Sequence, residues 1–243
     1  MSPIVHWSGD EAGPEGDHAM YQCKLDHLAV AAADLDIGQE YIEDLLGVRM
    51  EGGGKHDIMG THNRLLRLGE DQYLEVIAVD PDAPRPGRPR WFELDDPAMR
   101  ARLQRSPALI TWVARTTAID EAARRSPYSD AEIREASRGD LRWRMTFIEN
   151  GRLLYEGALP LLIEWQSEST PPRLLPDAGC VLRRFVIQSP HARQIRQTLA
   201  DINLENVEVN QSVQTGLAAT LSTPARGEVI LSSVAVPNPE DSA

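Results

Sequence analysis

A chain of 243 residues and 27.0 kDa can bury a substantial core, and 42% hydrophobic with 26% charged residues is the composition of a folded protein rather than a disordered one. The formal net charge of −12, with no Lys/Arg-rich stripe to offset it, excludes nucleic acid and membrane surfaces as expected partners. Cys23 and Cys180 match no metal-finger or redox spacing, no apolar run reaches the roughly 18 residues of a membrane span, and the N-terminus carries Asp10, Glu11, Glu15 and Asp17; the expected location is a reducing cytoplasm.

Residues 1–22, rich in Gly, Pro and acidic side chains, read as an extension, and 237–243 as a tail. Between them one order of signals recurs three times. In the first unit (23–106), Leu25-Asp26-His27-Leu28-Ala29-Val30 predicts a strand. Leu35 to Leu46, with Ile37, Tyr41, Ile42, Leu45 and Leu46 at helical spacing, predicts a helix capped by Asp34 or Asp36 and ended by Gly47. Strands are then expected at Val48 to Glu51, Asn63 to Leu68 and Tyr73 to Val79, with Gly52-Gly53-Gly54 loosening the backbone between the first two. The order is βαβββ. No Gly-Lys-Ser/Thr follows the glycines, which excludes a phosphate cradle.

Pro81, Pro84, Pro86 and Pro89 predict an extended connector, with Trp91-Phe92 anchoring it on the body or, as the lesser alternative, facing substrate. The second unit (107–178) opens with a strand at Ala108 to Arg115 and a helix near Ala118 to Arg125, followed by strands at Leu141 to Ile148 and Leu161 to Gln166 with Asn150-Gly151 turning between them. The third (179–236) repeats the start with Leu182 to Gln188, a helix over Ala192 to Ile202 and strands near Val207 to Val209, Leu217 to Ser222 and Val229 to Val234.

The segments Leu25 to Val30, Gly60-Thr61-His62-Asn63-Arg64-Leu65-Leu66-Arg67-Leu68-Gly69 and Tyr73-Leu74-Glu75-Val76-Ile77-Ala78-Val79-Asp80-Pro81 resemble the glyoxalase-like branch of the vicinal oxygen chelate superfamily. Ile110-Thr111-Trp112-Val113-Ala114-Arg115 and Leu162-Ile163-Glu164-Trp165 are similar to the companion module. The resemblance implies an α+β fold of repeated βαβββ modules whose curved mixed sheets form a cleft, with a third related C-terminal unit. It also implies a divalent metal on the cleft, held from first and fourth strands by His27, Glu75 and, in the second module, Glu164. Imidazole and carboxylate suit Zn, Fe, Mn or Ni. Trp112, aligned on His27, cannot ligate, and the third unit offers Arg184 at that position.

Taken alone, His27 reads as a core histidine before a ligand; paired with Glu75 in this order of elements the two readings are even, and Glu75 has the alternative of pairing with Arg64 or Arg67. His56 and His62 are further donors near the glycines; His62 has the stronger case, and His56 reads as an exposed loop residue. Tyr73, Trp112, Trp143 and Trp165 are cavity or core aromatics. The expected function is a metal-dependent enzyme acting on a small molecule with vicinal oxygens, its class open among isomerase, lyase and dioxygenase. Glu75 and Glu164 are the expected catalytic carboxylates, and His62, Asn63, Trp112 and Trp165 the expected substrate contacts. A metal-free protein that sequesters a ligand in the same cleft is the alternative, and a homodimer is left open.

Overall fold

A computed structural model describes residues 21–233 apart from Ser126. The expected tail lies outside the described residues, as does the expected N-terminal extension except for Tyr21 and Gln22. The first unit runs β1 (Lys24–Ala31), α1 (Leu35–Leu46), β2 (Gly53–His56), β3 (Thr61–Leu68), β4 (Gln72–Val79). A connector with a short helix, α2 (Pro97–Leu103), leads to β5 (Ala108–Arg115), α3 (Ile119–Ala122), β6 (Glu132–Arg138), β7 (Leu141–Phe147), β8 (Leu161–Trp165) and α4 (Pro171–Leu174). The last unit comprises β9 (Val181–Ser189), α5 (Ala192–Asp201), β10 (Glu208–Gln211), β11 (Gly216–Thr223) and β12 (Gly227–Ser232).

The first two units form one eight-stranded sheet in the order β2-β3-β4-β1-β5-β8-β7-β6. Each half has its first strand at the junction, parallel to its fourth, so the halves mirror one another across the antiparallel β1–β5 pair. The sheet curls until its terminal strands β2 and β6 approach each other. This is the mixed α+β architecture of paired βαβββ modules. Among the described residues no helix is long and apolar enough to cross a membrane.

Local chemistry explains the elements. Asp34 starts α1 by accepting from the backbone N–H groups of Asp36 and Ile37 at 2.9 and 3.2 Å, and Gly47 ends it in the left-handed conformation. The helix buries Leu35, Gly38, Ile42 and Leu46 against the outer face of the sheet. Period-two alternation divides the strands between two cores. Leu28, Val30, Leu66, Leu74, Val76, Trp112 and Leu162 point outward into the larger core, and Ile77, Val113, Trp143, Met145, Leu161 and Ile163 point inward into the smaller one. Each fully buried aliphatic side chain contributes roughly 1.5–3 kcal/mol.

The third unit has the element order β, α, β, β, β but pairs differently. Its sheet is β10-β9-β11-β12, with β9 parallel to β10 and antiparallel to β11. Its first strand is therefore central, whereas β1 and β5 sit at the junction edge of their own halves. The unit packs Phe185, Ile187, Leu217 and Leu221 into the outer core, where Phe185 meets Trp112 edge-on at 5.4 Å.

Candidate functional site

The concave face holds a cavity that opens to solvent. Aromatic and apolar walls come from Tyr73, Trp91, Phe92, Trp143, Met145, Ile163 and Trp165, and polar groups from His27, His56, Asn63, Glu75 and Arg138.

A bulge in β1 creates the floor. Leu25 pairs with Ala114 and His27 with Val113, leaving Asp26 as an extra residue on the β1 side. Asp26 and His27 can therefore approach the same face although they are neighbours in sequence. Asp26 Oδ1 contacts His27 Nδ1 at 2.7 Å, and Asp26 Oδ2 accepts the indole N–H of Trp165 at 2.9 Å. Tyr73 stacks on the His27 ring with centroids 4.4 Å apart. Burial, followed by the Asp26 and Glu75 carboxylates, pushes the Tyr73 hydroxyl well above its ordinary range, so it stays protonated. The outward nitrogen of His27, Nε2, faces Glu75 Oε2 at 3.7 Å. His27 and Glu75 are only 4% and 5% exposed.

Asn63 organises the rest. Its amide nitrogen donates to Glu75 Oε1 at 2.6 Å and lies 3.3 Å from His56 Nε2, while its oxygen accepts from Gly54 N at 2.9 Å and Arg138 at 2.9 Å. Two acceptors on one side and two donors on the other fix the amide's orientation. The neutral His56 tautomer that accepts at Nε2 donates from Nδ1 to Thr61 Oγ1, 3.1 Å away. Burial lowers the His56 pKa to about 4, the largest cause, with Glu75 opposing and Arg138 assisting. Gly53, at φ 115°, lets β2 pass close to β3, where a Cβ would collide with the Asn63 carbonyl.

Of the expected site residues, His27, Glu75, Asn63 and Trp165 converge on this cavity, and three do not. Glu164 points to the outer face beside Leu162, accepts the Ile119 N–H at 3.2 Å and pairs with Arg144 at 3.0 Å. Trp112 is fully buried in the outer core and donates its indole N–H to Ala158 O at 3.1 Å, so it is a packing residue and no substrate contact. Straight alignment on the first strand omits the bulge at Asp26, and Val113, not Trp112, lies opposite His27. His62 alternates with Asn63 onto the outer face, while His56, expected in a loop, is 9% exposed and lines the cavity. Neither Arg64 nor Arg67 reaches Glu75: Arg64 bonds Gln39 and Arg67 bonds the Gly69 carbonyl. Trp91 and Phe92 form part of the wall. Asp26 and Arg138 are unexpected; Arg138 lies on β6, a strand whose Glu-Ile-Arg-Glu-Ala-Ser-Arg sequence gives no apolar alternation.

The donor set bears directly on the implied metal. The inward positions of the second module's first and fourth strands carry Ile110, Val113, Leu161, Ile163 and Trp165, none of which ligates. Among the described residues, no group of three His, Cys, Asp or Glu side chains is disposed to hold an ion. His27 and Glu75 alone fall short of the three protein donors of an open catalytic site. The residues therefore do not fit the expected metal centre.

Residues 25–202 match the family model described as a glyoxalase-like domain. No curated protein matches this chain. Among solved structures, a hypothetical protein from Staphylococcus aureus shares the fold at 15% identity and a TM-score of 0.54, covering 79% of this chain and 87% of its own. Methylmalonyl-CoA epimerase from Mycobacterium tuberculosis aligns at 18% identity and TM-score 0.38, over 60% of this chain and 88% of its own. The Streptomyces coelicolor methylmalonyl-CoA epimerase in complex with 2-nitronate-propionyl-CoA aligns at 16% and 0.37, over 60% and 95%.

Proposed function

Since the chain belongs to the glyoxalase-like domain family, within the vicinal oxygen chelate superfamily, we propose that it is a small-molecule enzyme of the isomerase or lyase type that works by proton transfer without a metal. The observation that carries this reading is the line Asp26, His27, Glu75: a 2.7 Å contact on one side of the imidazole and a carboxylate oxygen 3.7 Å from the other.

Asp26 as a carboxylate can only accept, so His27 carries a proton on Nδ1 and, when neutral, presents Nε2 to the cavity as a base. A proton leaving a carbon next to a substrate carbonyl passes to Nε2. The resulting imidazolium lies between the carboxylates of Asp26 and Glu75, and its return of the proton to the same or a neighbouring atom completes an exchange or isomerisation. Trp165 holds Asp26, Tyr73 supports the ring from below, and Asn63 fixes Glu75. Apolar walls exclude water, which strengthens these interactions.

The aromatic lining supports a second reading, in which the cavity sequesters a ligand without turnover. Incubation in D2O with a panel of small 2-oxo and 2-hydroxy acids and their esters separates the two. Deuterium incorporation at the carbon beside the carbonyl supports the enzyme, and binding without exchange across the panel supports sequestration.

A further inference from the structure

Arg138 brings a guanidinium into a cavity that also holds the Glu75 carboxylate, from which the Asn63 amide separates it. Two other arginines of low exposure illustrate the usual arrangement, Arg144 with Asp120 and Glu164 and Arg90 with Asp95. Among the described residues Arg138 forms no ion pair, and its one hydrogen bond runs from Nη1 to the Asn63 side-chain oxygen at 2.9 Å. That bond leaves the remaining guanidinium donors without a partner among the described residues, and a partly desolvated cation in this position favours an anion.

Position makes the anion a substrate group. Asn63 sits between the two charged residues, with Arg138 on its oxygen and Glu75 on its nitrogen. The cavity thus has an anion-accepting end at Arg138 and a proton-transferring end at His27 and Glu75, separated by the Asn63 amide and its hydrogen bonds of 2.9 and 2.6 Å. Trp91, Phe92, Trp143 and Trp165 flank the space and offer aromatic faces to a ligand. Arg138 comes from β6 of the second module and His27 from β1 of the first, so a ligand touching both spans the curled sheet. Gly54 leaves room for the Arg138 side chain, because a Cβ there would meet Arg138 Cδ at 2.8 Å.

We infer that Arg138 is the substrate-recognition residue of this site and that the substrate is a small aromatic or apolar carboxylic acid, its carboxylate on Arg138 and its adjoining carbon at His27. This rests on the proton-transfer reading for the role of His27, but the recognition itself is a binding property and can be measured alone.

The full-length protein is titrated with phenylacetate and with 2-phenylacetamide, matched in shape and differing in charge, and binding is followed by tryptophan fluorescence and calorimetry. The expected result is that phenylacetate binds at least about tenfold more tightly than the amide, as charge-assisted hydrogen bonds to a guanidinium require. Arg138→Gln should erase that preference, Arg138→Lys should keep part of it, and Gly54→Ala should weaken it by displacing the guanidinium. Glu164→Gln, on the outer face, should leave the preference intact. Equal binding of acid and amide, a preference that survives Arg138→Gln, or no binding of either probe at millimolar concentration would each overturn the inference. Selective binding without deuterium exchange would instead remove the proton-transfer reading and leave Arg138 as the anchor of a binding site.

Discussion

Trp165, the last residue of β8, donates its indole N–H to Asp26 on β1 at 2.9 Å, so the second module holds the carboxylate that orients the first module's histidine. The site is thus shared between the halves of the sheet through an orienting contact. Trp165→Phe keeps the ring and deletes the donor. Stability should fall by about 1 kcal/mol, the ordinary worth of one such bond. Exchange activity should fall as well, because His27 loses its fixed partner. Chemical denaturation and the D2O assay on the same preparation check both, and a variant with unchanged exchange would show that Asp26 needs no support from β8.

His56 gives the fold an acid sensitivity. Its pKa is lowered by burial to about 4, against about 6.5 in the unfolded chain, so the folded state favours the neutral ring. The contribution is fully present above pH 6.5 and is lost as pH falls from 6.5 towards 4, at most about 3 kcal/mol in all. Denaturation midpoints measured from pH 7.5 to 4 should decline across that window. His56→Asn should be less stable at neutral pH but show a flatter decline. An identical slope in both proteins would assign the acid sensitivity to other groups.

Glu164 and Trp112 should behave as structural residues. Glu164→Gln removes the charge of a mostly buried partner of Arg144, which keeps Asp120, and the expected loss is about 1 kcal/mol with exchange activity unchanged. Trp112→Ala empties a fully buried site in the outer core and should destabilise by about 3–5 kcal/mol. A large rate loss in Glu164→Gln with normal stability would return that carboxylate to the site.

Metal dependence has an equally plain test. Dialysis against a chelator should leave the deuterium exchange rate as it was, since the third imidazole or carboxylate candidate in the cavity, His56, is engaged by Thr61 and Asn63 and no group of three is disposed to hold an ion among the described residues. Loss of activity restored by Zn, Mn, Ni or Fe would contradict the metal-free mechanism.

Much of the first module was legible because its strands and helix follow simple periods: Tyr73, Glu75 and Ile77 alternate with Leu74, Val76 and Ala78, and α1 carries its own caps. Counting parity in β3 would also have separated His62 from Asn63. His56 was harder, since its facing depends on cross-strand pairing with Thr61 after a run of glycines that has no pattern of its own. The bulge at Asp26 shifts side-chain facing by one residue, and nothing in Leu25 to Val30 marks it. The same parity places Glu164 outward and Ile163 inward on β8, which alignment by carboxylate type alone overlooked. Arg138 was missed together with its strand, because an edge strand with a polar outer surface has no apolar alternation to read.

The central claim is that His27 carries the proton, oriented by Asp26. Its most direct test is the rate of solvent deuterium incorporation into a reactive substrate by the unaltered protein, His27→Gln and Asp26→Asn, each with its denaturation midpoint measured alongside. General acid–base catalysis contributes about 10²–10⁴-fold, so His27→Gln should lose a factor in that range while remaining folded. Asp26→Asn should also be slowed, because an amide at that position no longer enforces the Nδ1–H tautomer. Exchange at an undiminished rate in a folded His27→Gln protein would contradict the claim outright.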